Sequence, residues 1–195
     1  ARRMRVPVVG GNVSLYNESD EFGTKVLPTP SIGLLGKGEV RRWMGAPEGS
    51  VLALIGETKP EFGGSVLDAA TGCGGDPPAV ADPAVVSAVR ELVAGGGCEA
   101  ATDLSQGGLL SALATLAPSA AVELGADALC DLFSESYGRF LLAVKEEARP
   151  KGLRCRILGE VGGEGLRIRA GTRSFSLSPG ELEHALSSLT RTMRT

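Results

Sequence analysis

The stretch Val6-Pro-Val-Val-Gly-Gly-Asn-Val-Ser-Leu-Tyr-Asn-Glu18 runs an apolar segment into a Gly-Gly turn crowded with short polar side chains. The valines favour an extended backbone, so a strand is expected up to the turn. Gly10 and Gly11 lack a Cβ, which lets the chain bend sharply and lets a ligand come close to the backbone. Asn12 offers an amide oxygen of the kind a hard cation such as Mg²⁺ takes, alongside waters or substrate phosphates. In an extended chain alternate side chains share a face, so Asn12 and Ser14 are expected on one side and Val13 and Leu15 on the other, directed into the protein. By residue type alone, a Gly-Gly-Asn string ending a strand is more often a plain turn.

The remainder bounds what this turn can belong to. A length of 195 residues allows one good-sized domain, with a piece of another. Hydrophobic residues at 43%, charged residues at 22% and a formal net charge of −3 describe an ordinary globular chain without the basic footprint of a nucleic-acid binder. Aromatic residues are only 4%, which argues against base-stacking platforms. Cys73, Cys98, Cys130 and Cys155 form no Cys-x-x-Cys pair, so neither a zinc site nor a disulfide framework is expected, and the thiols read as reduced in a cytoplasmic protein. No apolar run reaches the roughly 18 to 20 residues of a membrane span, so neither a membrane nor a nucleic-acid partner is expected. The chain opens almost directly on a strand and without an initiator methionine, which leads to the expectation of a piece of something longer.

Turn and breaker residues from Ser19 to Pro30 read as a connector, placing residues 1–25 with a preceding domain and residues 26–195 in a second one. Strands are expected at 31–36, 50–56, 98–102, 120–124, 138–145, 154–161, 166–170 and 174–177. Asp82-Pro83 is an N-cap followed by proline at the first helical position, and Val85, Val89, Leu92 and Val93 then recur at helical spacing down to a glycine stop. Short helices are expected after Gly63-Gly64 and over 126–133. Leu109, Leu110, Leu113 and Leu116 stripe another helix, and Leu182, Leu186, Leu189 and Met193 the last, which follows a capping box at Ser178 and Glu181. The Gly- and Pro-rich segment 71–78 is a loop that lacks the lysine and hydroxyl of a phosphate-cradling P-loop. This mixed order indicates an α+β fold with helices on one face of a sheet.

The opening string resembles the Gly-Asn-Val-Ser-Leu-Tyr-Asn signature of the phosphoribosylformylglycinamidine synthase family, which are ATP-dependent amidotransferases of purine synthesis. Thr29-Pro-Ser-Ile-Gly-Leu-Leu-Gly36, Ala101-Thr-Asp-Leu-Ser-Gln-Gly-Gly-Leu109 and Leu132-Phe-Ser-Glu-Ser-Tyr-Gly-Arg-Phe140 are similar to three further family segments, in the same order. The resemblance implies the ferredoxin-like C-terminal domain of the aminoimidazole ribonucleotide synthetase superfamily, preceded by the last strand and loop of the preceding domain. It implies a synthetase subunit that joins formylglycinamide ribonucleotide, ATP and ammonia, with a glutaminase subunit, a small accessory subunit and the rest of its own synthetase chain as partners. Carried over by position, Gly11 would contact ATP, Asn12 would ligate Mg²⁺ and Ser14 would bind the ribonucleotide.

Asp103, Glu135 and Ser136 match, through an internal repeat, positions of an auxiliary nucleotide site. Thr102 and Gln106 replace the usual His and Asp of the first motif, however, and Tyr137 replaces the Gln of the second. On residue types Asp103 is as well read as a helix cap, Glu135 and Ser136 as a polar turn, and Arg139 as a partner of Glu135 or another carboxylate. His184, the single histidine, has no catalytic company, and the family's catalytic histidine would lie outside this chain, so the chain alone is expected to be inactive. Two alternatives stay open. One is a sister of the superfamily, of the aminoimidazole ribonucleotide synthetase, selenophosphate synthetase or thiamine-monophosphate kinase type; the other is a non-catalytic structural or nucleotide-binding repeat.

Overall fold

A computed structural model describes residues 1–2, 5–13, 18–25, 30–37, 45–145 and 152–192, with the side chains of 188–192 outside that description. Ser14, Leu15 and Met193 therefore lie outside the described residues, as does the side chain of Leu189. The chain divides into two units, Ala1–Arg42 and Trp43–Thr195.

In the first unit a small antiparallel hairpin joins β1 (Glu18–Ser19) to β2 (Thr24–Lys25), turning through Gly23 at φ 58°. An exposed ion pair of 3.4 Å links Lys25 to Glu18. The strands expected at 6–9 and 31–36 are not formed. Apart from Val6 N, which donates to the Ala1 carbonyl at 3.2 Å, neither stretch has a hydrogen-bonded partner among the described residues, and Val8, Val9, Ile32, Leu34 and Leu35 stand in solvent. An isolated apolar strand gains neither ladder bonds nor burial to offset the cost of ordering it.

The second unit is built around β3 (Val51–Ile55), whose five residues Val-Leu-Ala-Leu-Ile are all buried. Such an unbroken apolar run belongs in the middle of a sheet covered on both faces. The strands β4 (Ala100–Asp103), β6 (Phe140–Val144), β3, β7 (Cys155–Val161), β5 (Ala120–Leu124), β8 (Leu166–Ala170) and β9 (Arg173–Leu177) lie in that spatial order. All neighbours are antiparallel except β5 and β8, so the sheet is mixed, as expected for this α+β class. A register shift opposite Leu52 and Ala53 leaves Leu158 as an extra residue in β7. The next residue, Gly159, passes so close to β5 that a Cβ there would sit 1.9 Å from the Ala121 carbonyl.

Helices cover the sheet unequally. On one face α3 (Gly108–Leu116), α4 (Ala128–Phe133) and α5 (Pro179–Thr192) bury Leu109, Leu113, Leu132 and Leu182 against Leu52, Leu54, Leu141 and Leu158. This is the one-face arrangement expected from the order of elements. The remaining long helix, α2 (Pro83–Ala94), packs Val85, Val89, Leu92 and Val93 on the opposite face, over Val51, Ala53, Ile55, Leu142 and Val144. The alternate residues of β3 and β6 are apolar on both sides, so a second cover is needed at the sheet's centre. Short α1 (Val66–Thr71) completes the set. The Asp82 cap accepts from Ala84 N at 2.9 Å, and the Ser178/Glu181 box is closed by Ser178 N donating to Glu181 Oε2 at 2.8 Å.

Among the fully buried side chains of the unit, Arg139 is the largest. It does not pair with Glu135. Its Nη1 donates to the Ser134 carbonyl at 2.9 Å and its Nη2 to the Asp131 carbonyl at 3.2 Å, which are oxygens at the C-terminal end of α4 without helical partners. Burial holds the guanidinium down to about 10, opposed by the nearby Asp131 carboxylate. That carboxylate is itself fixed by Gly125 N at 2.9 Å and by both Nη atoms of Arg156, at 2.9 and 2.7 Å. Truncation of Arg139 would strand two buried carbonyls and leave a cavity. Arg139→Ala should cost about 3 to 5 kcal/mol in denaturant unfolding, and Arg139→Lys, which lacks the fork to reach both oxygens, should cost a large part of that. A loss under about 1 kcal/mol for Arg139→Ala would contradict the role given to it.

Candidate functional site

Two places bear on chemistry. The first is the exposed segment Gly10–Val13. A Cβ built on Gly10 or Gly11 would meet nothing within 4 Å, so the backbone is open to a bulky ligand on either side. Asn12 is exposed, and its amide makes no hydrogen bond to a described residue. One amide oxygen is a partial ligand set for a hard cation that takes about six oxygens. Among the described residues no group of three or more His, Cys, Asp or Glu could hold a metal ion. Ser14 lies outside the described residues.

The second place is one end of the sheet in the second unit, where the loops after β3 and β4, the loop around α1 and the segment before β6 converge. Glu135 is central to it. Its Oε1 accepts from Val66 N at 2.8 Å and from Gly107 N at 2.9 Å. Val66 opens α1, and Gly107, at φ 79°, stands immediately before α3. Unpaired N–H groups at such positions attract anions, and here the anion is the chain's own carboxylate. Gly108 follows at φ 62°, where a Cβ would lie 2.6 Å from the Leu132 carbonyl and 2.7 Å from that of Ser134. Only glycine lets the start of α3 sit this close to the end of α4.

Ser136 is buried and similarly committed. Its Oγ accepts from Lys59 N at 3.2 Å, is 3.3 Å from the Lys59 carbonyl and lies 2.8 Å from Ser134 Oγ. Asp103 behaves differently: it ends β4 exposed, with no side-chain hydrogen bond to a described residue. The fold thus brings Glu135 to the turn that follows Asp103, while Ser136 points away to Lys59.

Sequence reasoning passed over Asp68. Its Oδ1 accepts from Gly74 N at 2.7 Å and its Oδ2 from Gly64 N at 3.0 Å, so this one carboxylate closes the Gly-rich loop 63–75 upon itself. Those two bonds hold its carboxyl below the usual carboxylate range, with the Gly64 bond the larger cause. Glu181 is lowered likewise by its bonds from Ser178. Each contribution to stability is present above the ordinary carboxylate pKa and is lost as pH falls through the lowered folded value. The signal for Asp68 was in the sequence: Ser65-x-x-Asp68 is a capping pattern, and Ser65 Oγ accepts from Asp68 N at 3.1 Å. The nearby cleft, about 300 Å³, is lined by Glu57, Lys59, Glu61, Ser136, Tyr137 and Arg154 among others. Its charges are largely matched internally, Arg154 pairing with Glu57 and Glu61 Oε1 accepting from Ala79 N at 3.3 Å.

Comparison with known proteins places this geometry. Residues 47–169 match the model of the family "AIR synthase related protein, C-terminal domain". The chain is 41% identical to phosphoribosylformylglycinamidine synthase subunit PurL of Methanosarcina acetivorans over 99% of its length, and 42% identical to the PurL subunit of Moorella thermoacetica over 92%. It spans 30% and 27% of those two relatives. Among solved structures, Thermotoga maritima PurL complexed with FGAR aligns at TM-score 0.56 and 22% identity, over 71% of this chain and 28% of that one. The same protein complexed with AMPPCP aligns at TM-score 0.53 and 24% identity, over 71% and 26%. These likenesses carry the fold. Together with the family match over most of the second unit, they establish that the chain belongs to the AIR synthase related protein family through its C-terminal domain, among the sequences similar to PurL.

Proposed function

We propose that this chain is part of an ATP-dependent amidotransferase of purine synthesis that converts formylglycinamide ribonucleotide, ATP and glutamine-derived ammonia to formylglycinamidine ribonucleotide, ADP and phosphate. The observation that carries the reading is the 41% identity to a PurL subunit across 99% of the chain. Solved PurL structures include complexes with ATP and with FGAR and a PurLQS assembly, which supports the nucleotide, the ribonucleotide and further subunits as partners here.

In this reading the amide oxygen of the substrate is phosphorylated, and ammonia then displaces phosphate. Positioning and charge neutralisation supply most of the rate. The open backbone at Gly11 would lie against the ATP phosphates, Asn12 would give one oxygen to Mg²⁺, and Ser14 would donate to the ribonucleotide. When bound, Mg²⁺ neutralises phosphoryl charge. Ammonia comes from a glutaminase partner. Glu135 commits one carboxylate oxygen and Ser136 its hydroxyl to the fold, which favours the structural-repeat reading for that unit, and Asp103 is the exposed member of the auxiliary set.

Within the complete enzyme, Asn12→Ala should lower the apparent affinity for Mg²⁺·ATP or the turnover rate while leaving the partner's glutaminase activity intact. An unchanged magnesium dependence would reduce Asn12 to a turn residue. Ser14→Ala should raise the KM for the ribonucleotide by a few-fold up to about a hundredfold, the worth of one hydroxyl hydrogen bond to a bound polar group, with little change in the KM for ATP. The opposite pattern, with the melting temperature unchanged, would assign Ser14 to the nucleotide.

A further inference from the structure

Cover over the second unit's sheet is incomplete. On the face that carries α2, the helix reaches β3, β6 and the start of β7, and no described element lies over the wing formed by β5, β8 and β9. Val122, Leu124, Leu166 and Ile168 point from that wing to the helices on the other face. By the strand period of two, Ala121, Glu123, Arg167 and Arg169 therefore stand on the bare face, where all four are exposed. The register sets Ser176 opposite Arg167 and Ser174 opposite Arg169, which brings both hydroxyls to the same face. A hollow of about 550 Å³ lies here, lined in part by these six residues.

Opposite charges on facing residues of neighbouring strands stabilise a solvated sheet face. Arg169 follows that pattern, facing Glu123 on β5 and pairing with it at 2.7 Å. Arg167 breaks it. It faces Ala121 on β5 and Ser176 on β9, and its guanidinium makes no ion pair or hydrogen bond with a described residue. The acid on the same row, Glu160 of β7, is two strands away beyond Ala121, or about 10 Å. The hydroxyls of Ser174 and Ser176 also have no partner among the described residues. The hollow thus holds one unmatched cation and two free hydroxyl donors, and the small side chain of Ala121 leaves room beside them.

We propose that this hollow binds a phosphate group, as the free ion or as the monoester of a small metabolite, through the Arg167 guanidinium and the hydroxyls of Ser176 and Ser174. A guanidinium meets two oxygens of a phosphate as a fork. Phosphate keeps a third terminal oxygen for the serines, whereas a carboxylate spends both of its oxygens on the fork and leaves the hydroxyls unused. Strand spacing puts Ser176 about 5 Å from Arg167 along the row, and Ser174 about 7 Å further along β9, so both hydroxyls border the space above the guanidinium. A hollow of this size lies in the range of small-molecule sites and exceeds what the ion alone fills, which gives the organic part of a monoester a place against Ala121 and the backbone of Gly159. The site is independent of the functional reading above, which rests on residues of the first unit.

The test titrates the isotopically labelled chain with inorganic phosphate and, separately, with ribose 5-phosphate, at constant ionic strength so that screening is equal throughout. The amide signals of Arg167, Ser174 and Ser176 should move saturably with both. Arg167→Gln should weaken binding by about tenfold or more, and Ser176→Ala by a few-fold. Glu123→Gln, which removes a competing carboxylate and releases Arg169, should tighten it several-fold. Arg173 supplies the control: it carries the same charge, but the alternation of β9 turns it to the other face, so Arg173→Gln should change the affinity by less than about twofold. These side chains are exposed, and the melting temperatures should match the parent's. Tighter binding of ribose 5-phosphate than of phosphate would identify a monoester as the ligand, and equal binding the free ion. The proposal is overturned if the signals move without saturating, if Arg167→Gln and Ser176→Ala both bind as the parent does, or if Arg173→Gln weakens binding as much as Arg167→Gln, which would reduce the effect to a general positive field.

Discussion

A guanidinium with no access to water needs acceptors, and Arg139 finds two of them at the end of a helix, while its Nε is left without one among the described residues. That constraint fixes much of the second unit. Holding the Asp131 and Ser134 carbonyls ties the C-terminal end of α4 to the residue that leads directly into β6. The carboxylate of Asp131 then ties the same helix to β7 through Arg156. Buried ionic groups contribute little net stability when fully paired and cost a great deal when one is removed. Their effect here is to fix one arrangement of the helix and two strands, and hence of the segment Ser134–Gly138 that lies between α4 and β6.

The fixed segment settles what its polar residues are free to do. Glu135 gives a single oxygen to the starts of two helices, filling with an internal carboxylate the anion position that those N–H groups create. Ser136 is buried against Lys59. Gly108 permits the close approach that brings the helix start within reach. A ligand anion at this turn would have to displace a covalently tethered competitor whose effective concentration is high. The exposed turn at Gly10 and Gly11 faces no such competitor among the described residues.

Most of the fold was legible because its signals are local. The five-residue apolar run of β3, the Asp82-Pro83 start of α2 and the Ser178/Glu181 box were each readable from spacing alone, and each stands where it was expected. The position of α2 on the far face was less legible, since the order of elements does not say which side a crossover takes. The roles of Glu135 and Arg139 were illegible for a different reason. A polar residue in a turn looks the same whether it meets a ligand or a main-chain N–H far away along the chain, and only the three-dimensional fold tells the two apart. The strands expected at 6–9 and 31–36 have the right composition, but strand formation depends on a partner, which no spacing within the stretch can supply.

If the turn bridged by Glu135 serves the fold and ligand chemistry belongs to the segment around Asn12, nucleotide should leave the bridged turn undisturbed. The most direct measurement titrates the isotopically labelled chain with Mg²⁺·ATP and follows the amide signals of Val66 and Gly107 by NMR. With Glu135 holding both groups, neither signal should move with nucleotide in the parent chain, whereas Glu135→Ala should shift both and speed their exchange with solvent. Saturable movement of the two signals in the parent chain would show that nucleotide displaces the carboxylate, and would contradict this division of roles.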